Sequence, residues 1–213
     1  MSDLFYRTVR LLGSHAFWVS SRPVVLGLDH IPRTGPCLIA SNHTSPFDAA
    51  ILMWQSPRLL DVVSIVEVFR KPLLGWFYRN MNAFPLDRHK PDPATVRVIL
   101  KLLKRGRVVV LFPEGGFRRG QASVVHSRAI RPGVGRLAHL AKVPVIPALL
   151  INTAAYSRPG AWLPLFRTRF VLAFAPPISP DLPPEQIEAA IVDSLATLYD
   201  DAARMLPEKC RVL

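Results

Sequence analysis

Three runs of this chain are apolar at every position instead of every second one: Cys37–Ala40, Val108–Phe112 and Val145–Ile151. Runs this short, rich in branched side chains, read as strands buried on both faces, which is the habit of sheets covered by helices on either side. Between them the apolar spacing turns helical. Val96, Ile99, Leu100 and Leu103 form one stripe within Pro93–Lys104, Gly135–Ala141 makes a shorter helix, and Pro184–Met205 is amphipathic with an acidic side. Val24–Leu28, Asp61–Val66 and Arg169–Phe174 are further strands. Phe47–Trp54 and Lys71–Arg79 are further helices, Pro72 being tolerated in a first turn. This alternation predicts an α/β fold with a central mostly parallel or mixed sheet flanked by helices. The proline-rich stretch Ala175–Pro184 reads as a rigid turn, so residues 23–213 form one domain behind an N-terminal helix over residues 1–22.

In that helix Leu4, Phe5, Val9, Leu12, Ala16 and Val19 recur near the helical period, with Arg7, Arg10 and Ser14 elsewhere, and Phe17 and Trp18 widen the apolar side. Arg22-Pro23 is expected to end it. With the basic charge of the chain, this amphipathic helix is expected to lie in a membrane interface, aromatics at headgroup depth and arginines towards phosphates, the alternative being a helix packed on the domain. Lysine and arginine number 27 against 15 acidic residues, a net charge of +12. That excess predicts attraction to anionic lipid, nucleic acid or an acidic protein. Nucleic acid is disfavoured, because no zinc-finger spacing, RNP-like strand or base-reading basic helix is present. The longest apolar run, Val143–Ile151, has nine residues including two prolines. A spanning helix needs about 20, which excludes a multi-span protein. Two cysteines, Cys37 and Cys210, make neither a disulfide scaffold nor a four-cysteine zinc site, and point to inert thiols in a reducing compartment. No cleavable signal is expected, since Arg7 and Arg10 interrupt the N-terminal apolar residues.

Polar clusters follow the buried strands, where the loops of an α/β sheet gather into a site. Ser41-Asn42-His43-Thr44-Ser45-Pro46-Phe47-Asp48 places a histidine at a strand end and an aspartate near the next helix start. If the loop folds back, Asp48 can hold one ring nitrogen of His43 and leave the other as a base. The same residues also suit a helix cap and a buried structural histidine. Phe112-Pro113-Glu114-Gly115-Gly116-Phe117-Arg118-Arg119-Gly120 sets a carboxylate beside a glycine pair and two arginines, groups suited to a phosphate-bearing polyol or to a charged turn. It is not a nucleotide P-loop, because Gln121 stands where the lysine belongs. Asn82–Lys90 is an extended apolar piece running into a basic turn, where Arg88 suits a second phosphate ligand or, taken alone, a solvated charge beside a helix cap.

Taken in order, His-Thr-Ser-Pro-Phe-Asp at 43–48, Ala83-Phe84-Pro85-Leu86-Asp87-Arg88, Phe-Pro-Glu-Gly at 112–115 and Val143-Pro144-Val145-Ile146-Pro147 closely resemble the four sequence blocks of the glycerolipid acyltransferases, the lysophosphatidate acyltransferase (PlsC-like) family. The resemblance runs from about Leu26 to Leu150. It implies that His43 is the catalytic base and Asp48 its orienting carboxylate. It further implies that Glu114, Gly115, Gly116 and Arg118 bind the acceptor, that Arg88 is the arginine of the second block, and that Pro147 lies near the acyl-binding side. One departure stands out: the family usually reads Phe-Pro-Glu-Gly-Thr-Arg, and here Gly116 and Phe117 occupy the Thr and Arg positions, with Arg118 one residue late.

The expected chemistry is transfer of an acyl group from a thioester, acyl-CoA or acyl carrier protein, to a lysophospholipid hydroxyl. His43 would take the hydroxyl proton, and N–H groups near Gly115 or at the helix start after Pro46 would hold the oxyanion. No serine elbow of the G-x-S-x-G type exists and neither cysteine lies in the blocks, so direct attack without a covalent intermediate is expected. No metal or other cofactor is expected, the remaining histidines being scattered. The alternatives are a family member acting on another alcohol (glycolipid, amino-lipid, carotenoid-type or polyol) and a thioesterase-type hydrolase. The expected location is peripheral or monotopic on the cytoplasmic face of a membrane rich in anionic phospholipid.

Overall fold

The computed structural model describes residues 3–87, 92–164, 167–211 and 213. Along the chain, α1 (Asp3–Ser20) runs straight into β1 (Ser21–Leu26), and β2 (Cys37–Ser41) leads through a tight loop to α2 (Asp48–Gln55). Then come β3 (Leu60–Ile65), the single turn α3 (Val66–Phe69), α4 (Pro72–Asn80) and β4 (Ala83–Leu86). The second half holds α5 (Pro93–Lys104), β5 (Val108–Leu111), the single turn α6 (Val124–Ser127), α7 (Val134–Ala141), β6 (Val145–Ile151), β7 (Thr168–Phe174) and α8 (Pro184–Ala202).

The strands form one sheet in the order β1-β7-β6-β2-β5-β3-β4. Every neighbouring pair is parallel except β6 with β7, so β1 and β7 run against the rest. The α/β reading therefore holds. Successive residues of each strand serve opposite layers, as the period of two requires. Cys37, Ile39, Val108, Val110, Ile146, Ala148 and Leu150 face Ile51 and Leu52 of α2 and Tyr6 and Phe17 of α1. Leu38, Ala40, Val109, Val145 and Leu149 face Ile99 and Leu103 of α5, Ala138 of α7, and Ile187, Ile191 and Leu195 of α8.

Three local expectations change. The first helix ends at Ser20, before the Arg22-Pro23 step, because β1 starts at Ser21 and pairs with β7 from its first residue. Asn82–Leu86 is more than an extended piece, since β4 pairs with β3 and closes one sheet edge. The turn α6 had no periodic signal to announce it. The alternative of a helix packed on the domain is realised by one face of α1: Phe17 stacks on Trp54 with centroids 5.1 Å apart and meets Tyr156 and Trp162 behind β6. At its N-terminus Asp3 meets Arg107, whose guanidinium also grips buried Asp61 at 2.7 Å.

Candidate active site

Strands β2, β5 and β6 are parallel neighbours, so their C-terminal ends emerge together, and the loops after β2 and β5 meet there. His43 follows β2. Its Nδ1 lies 2.9 Å from Oδ2 of Asp48, the first residue of α2, which has no exposed surface. The same oxygen accepts the backbone N–H groups of Thr44 (2.7 Å) and Ser45 (2.9 Å). Oδ1 accepts the hydroxyl of Thr153, which lies beyond β6 and is itself 3.0 Å from the Thr44 hydroxyl. Four donors thus hold the Asp48 carboxylate in one orientation at the start of α2. With Nδ1–H donated to Asp48, Nε2 is the basic nitrogen of the imidazole.

The imidazole is 17% exposed and lies between two aromatic rings, stacked on Phe112 at 3.9 Å and capped by Phe117 at 4.5 Å. It lines a cavity of about 1160 Å³ whose wall is mostly apolar, drawn from Val9 and Gly13 of α1, Met53 of α2, Ile65 of β3, Phe77 of α4 and Met81 just after it. The space suits a long hydrocarbon chain with its reactive end at His43.

The Acyltransferase family model matches residues 22–151. This chain belongs to the acyltransferase family. It is 28% identical over 144 residues to the 1-acyl-sn-glycerol-3-phosphate acyltransferase of Bacillus subtilis, covering 67% of this chain and 66% of that protein. It is 29% identical over 207 residues to the enzyme of the same name from Limnanthes alba, covering 92% of this chain and 68% of that one. The chain thus spans about two thirds of these relatives' length. The crystal structure of the Thermotoga maritima 1-acyl-sn-glycerophosphate (LPA) acyltransferase, PlsC, shares the fold with a TM-score of 0.68 at 20% identity, over 92% of this chain and 79% of that one.

Within this acyltransferase the Phe-Pro-Glu-Gly loop differs from its expected use. Glu114, expected to bind the acceptor, is 5% exposed and spent inside the protein. Its Oε2 accepts the backbone N–H of His43 at 2.7 Å, and its Oε1 accepts Val124 N–H at 2.7 Å and the Ser123 hydroxyl at 3.2 Å. Burial pushes this carboxyl above the usual range despite those donors. Glu114 is therefore a strut that fixes the backbone of His43. Gly115 N–H bonds Phe112 O at 3.0 Å, and Thr44 and Ser45 N–H go to Asp48, so none of these is available to an oxyanion. Gly115 itself, with φ +70°, lines the cavity together with Gly116 and Phe117.

Arg118 also departs from expectation: its backbone N–H donates to His43 O at 2.8 Å, while its side chain is exposed and takes no part in the cavity wall. Arg119 Nε reaches back to Thr44 O at 2.8 Å. Pro147, expected near the acyl chain, is buried in the interior of β6 opposite Ala40, where it packs the sheet and lines no part of the cavity. Arg88 lies outside the described residues. Thr153 was not anticipated, because a threonine 105 residues from Asp48 carries no local signature. Arg131, part of the Arg131-Pro132-Gly133 stretch, enters the cavity wall, as does Arg136 of α7. Among the described residues no group of three or more His, Cys, Asp or Glu side chains could hold a metal ion, and no helix is long and apolar enough to cross a membrane.

Proposed function

We propose that this acyltransferase moves a fatty acyl group from a thioester, acyl-CoA or acyl carrier protein, onto the free hydroxyl of lysophosphatidate, giving phosphatidate. Nε2 of His43 takes the hydroxyl proton as the oxygen attacks the thioester carbonyl. The tetrahedral adduct then collapses, the C–S bond breaks, and the departing sulfur takes the proton back from His43. Asp48 fixes the imidazole and stabilises its charged form between the two transfers. No cofactor is needed for this sequence. The observation that carries the reading is the His43–Asp48 pair, 2.9 Å apart, at the wall of an apolar cavity of about 1160 Å³. The names of the relatives from Bacillus subtilis and Limnanthes alba support the acceptor.

The protein works, on this reading, from the cytoplasmic surface of a membrane as a peripheral or monotopic enzyme. Beyond the face that packs on the sheet, α1 leaves Leu4 72% and Trp18 67% exposed, and α4 leaves Leu73 86% exposed. Phe5 and Trp76 meet edge to face at 5.1 Å and join the two helices into one apolar edge. Large exposed apolar surface of this kind marks an interaction site. Arg7, Lys71 and Arg79 on the same helices and their flank, within a net charge of +12, suit an anionic leaflet.

A second acceptor class is favoured by one observation: Phe117 occupies the family's arginine position and faces the imidazole, which would suit an uncharged alcohol. A panel of lysophosphatidate, monoacylglycerol and glycolipid acceptors, with acyl-CoA and acyl carrier protein donors and products read by mass spectrometry, separates the cases. Phosphatidate should dominate, with one thiol released per product. Thiol release unchanged by omitting every acceptor would make the protein a thioesterase and overturn the proposal.

A further inference from the structure

We infer that Thr153 is a positioning residue for proton transfer at His43: its hydroxyl sets the plane of the Asp48 carboxylate and ties the His43–Asp48 pair to the end of β6. The inference deepens the acyl-transfer reading above and rests on it.

The two oxygens of Asp48 are held from different parts of the chain. Oδ2 takes its donors from the same loop, Nδ1–H of His43 at 2.9 Å and the backbone N–H groups of Thr44 and Ser45 at 2.7 and 2.9 Å. Those donors lie within five residues of Asp48, so a shift of the loop carries them along. Oδ1 takes the hydroxyl of Thr153, 105 residues further on. The last torsion of an aspartate is soft and nearly two-fold, and a donor on the second oxygen narrows it.

Proton counting gives the direction of the bonds. Each threonine hydroxyl has one proton, and that of Thr153 goes to Oδ1. The 3.0 Å contact between the Thr44 and Thr153 hydroxyls is therefore made with the proton of Thr44. Thr44 donates to Thr153 and Thr153 to Asp48, a chain in which each bond polarises the next.

The sheet fixes Thr153 in turn. The ladder between β2 and β6 ends at Ser41 opposite Ala148. Beyond it the Asn42 side chain takes over, its Nδ2 donating to Leu150 O at 2.8 Å and its Oδ1 accepting Leu150 N–H at 2.7 Å. Asn152 then turns the chain with φ 65°, and Thr153 opens a short 3-10 turn facing the loop after β2. Asn42, Thr44, Asp48 and Thr153 have no exposed surface, so a donor removed here leaves a bare oxygen in a medium of low dielectric. Neither Thr153 nor Asp48 lines the cavity. The effect of Thr153 must therefore reach the imidazole through Asp48, and it should appear in turnover and not in substrate binding.

Initial rates with the whole chain, reading acyl transfer and thiol release together, would compare wild type, T153V, T153S, T44V, D48A and the T153V/D48A double variant. T153V should lower kcat about 10–100-fold, the loss of a bond to a charged group, with both KM values within twofold of wild type. T153S keeps the hydroxyl and should stay within threefold of wild type. T44V leaves the bond to Asp48 in place and should lose less than T153V. T153A, lacking the same hydroxyl, gives the same reading where T153V does not fold. In the D48A background T153V should change kcat less than twofold, because the group it acts through is gone, whereas a merely structural loss would multiply there. A T153V kcat within twofold of wild type, or the full loss repeated in D48A, would overturn the assignment and leave the acyl-transfer reading intact. Thioester hydrolysis by wild type without any acceptor would sink the transfer reading, and the same cycle read in thiol release would still decide the place of Thr153.

Discussion

The corner that holds His43 and the edge formed by α1 and α4 are built on opposite terms. At the corner nearly every polar group is committed: Asp48 to an imidazole, two N–H groups and a hydroxyl, Glu114 to two N–H groups and a hydroxyl. Along the edge large apolar side chains stand in solvent, Leu4, Leu11 and Trp18 on α1 and Leu73 and Trp76 on α4. A satisfied buried network resists displacement, because moving any member strands another in a medium of low dielectric. An exposed apolar face gains by being covered. On the proposed reading, the fixed geometry serves the chemistry and the edge is the surface offered to lipid. Val9, Gly13, Phe77 and Met81 connect the two, since they line the cavity from the edge side.

The sharpest way to break the comparison is at the corner. H43A should lower acyl transfer roughly 10²–10⁴-fold, the usual contribution of a placed acid–base group, with the thermal transition intact. Activity within threefold of wild type would remove His43 as the base.

A different loss is expected from E114Q. Its amide can accept at one atom only, so its NH₂ group must face either His43 N–H or Val124 N–H, leaving a buried donor unpaired. The cost should be about 1–3 kcal/mol by denaturant unfolding. The raised pKa of Glu114 has its own signature. The folded chain holds this proton more tightly than the unfolded chain, so the group's contribution is fully present below the ordinary glutamate range and is lost as pH rises through the raised folded value. E114Q should remove that slope. An unchanged pH–stability profile would show that Glu114 does not titrate as its burial implies.

At the edge, replacing Leu73 and Trp76 by serine should weaken binding to vesicles containing anionic phospholipid about tenfold, from the loss of two inserted side chains. Folding should be unaffected, since both are largely exposed. Equal sedimentation of variant and wild type with vesicles would leave the edge without a lipid role. The smallest effect concerns Cys37, whose thiol burial pushes up to about 11. It should resist alkylation near pH 8 in the folded chain and react only on unfolding.

The sequence exposed the corner more readily than its wiring. Cys37–Ala40 and Val108–Phe112 announce buried strands because every residue is apolar, and the loops that follow them meet at the His43 corner. His43 and Asp48 are five residues apart, close enough for a local argument. The inward bonds of Glu114 have no local signal, because its partners, His43 N–H and the start of α6, are chosen by the packing of two loops, with His43 71 residues away. Backbone donors leave no trace in residue identity. Arg131 was hidden for the same reason, since its place depends on a missing side chain at Gly115 and on a left-handed turn. Pro147 misled in the opposite direction: its family block marks a strand, and the strand's interior gives it no route to the cavity. On α1 the sequence offered two exclusive uses, and the helix has surface for both, Tyr6 and Phe17 inward and Leu4 and Trp18 outward.

The most direct test of this division sets two acceptors side by side, a short-chain lysophosphatidate dissolved in detergent and a long-chain one embedded in anionic vesicles, and measures transfer by wild type, H43A and the Leu73/Trp76 double serine variant. The account predicts that H43A loses activity on both acceptors, while the double variant keeps the dissolved acceptor's rate within twofold and loses most of the rate on vesicles. Equal loss on both acceptors in the double variant, or undiminished transfer by H43A on either, would contradict it.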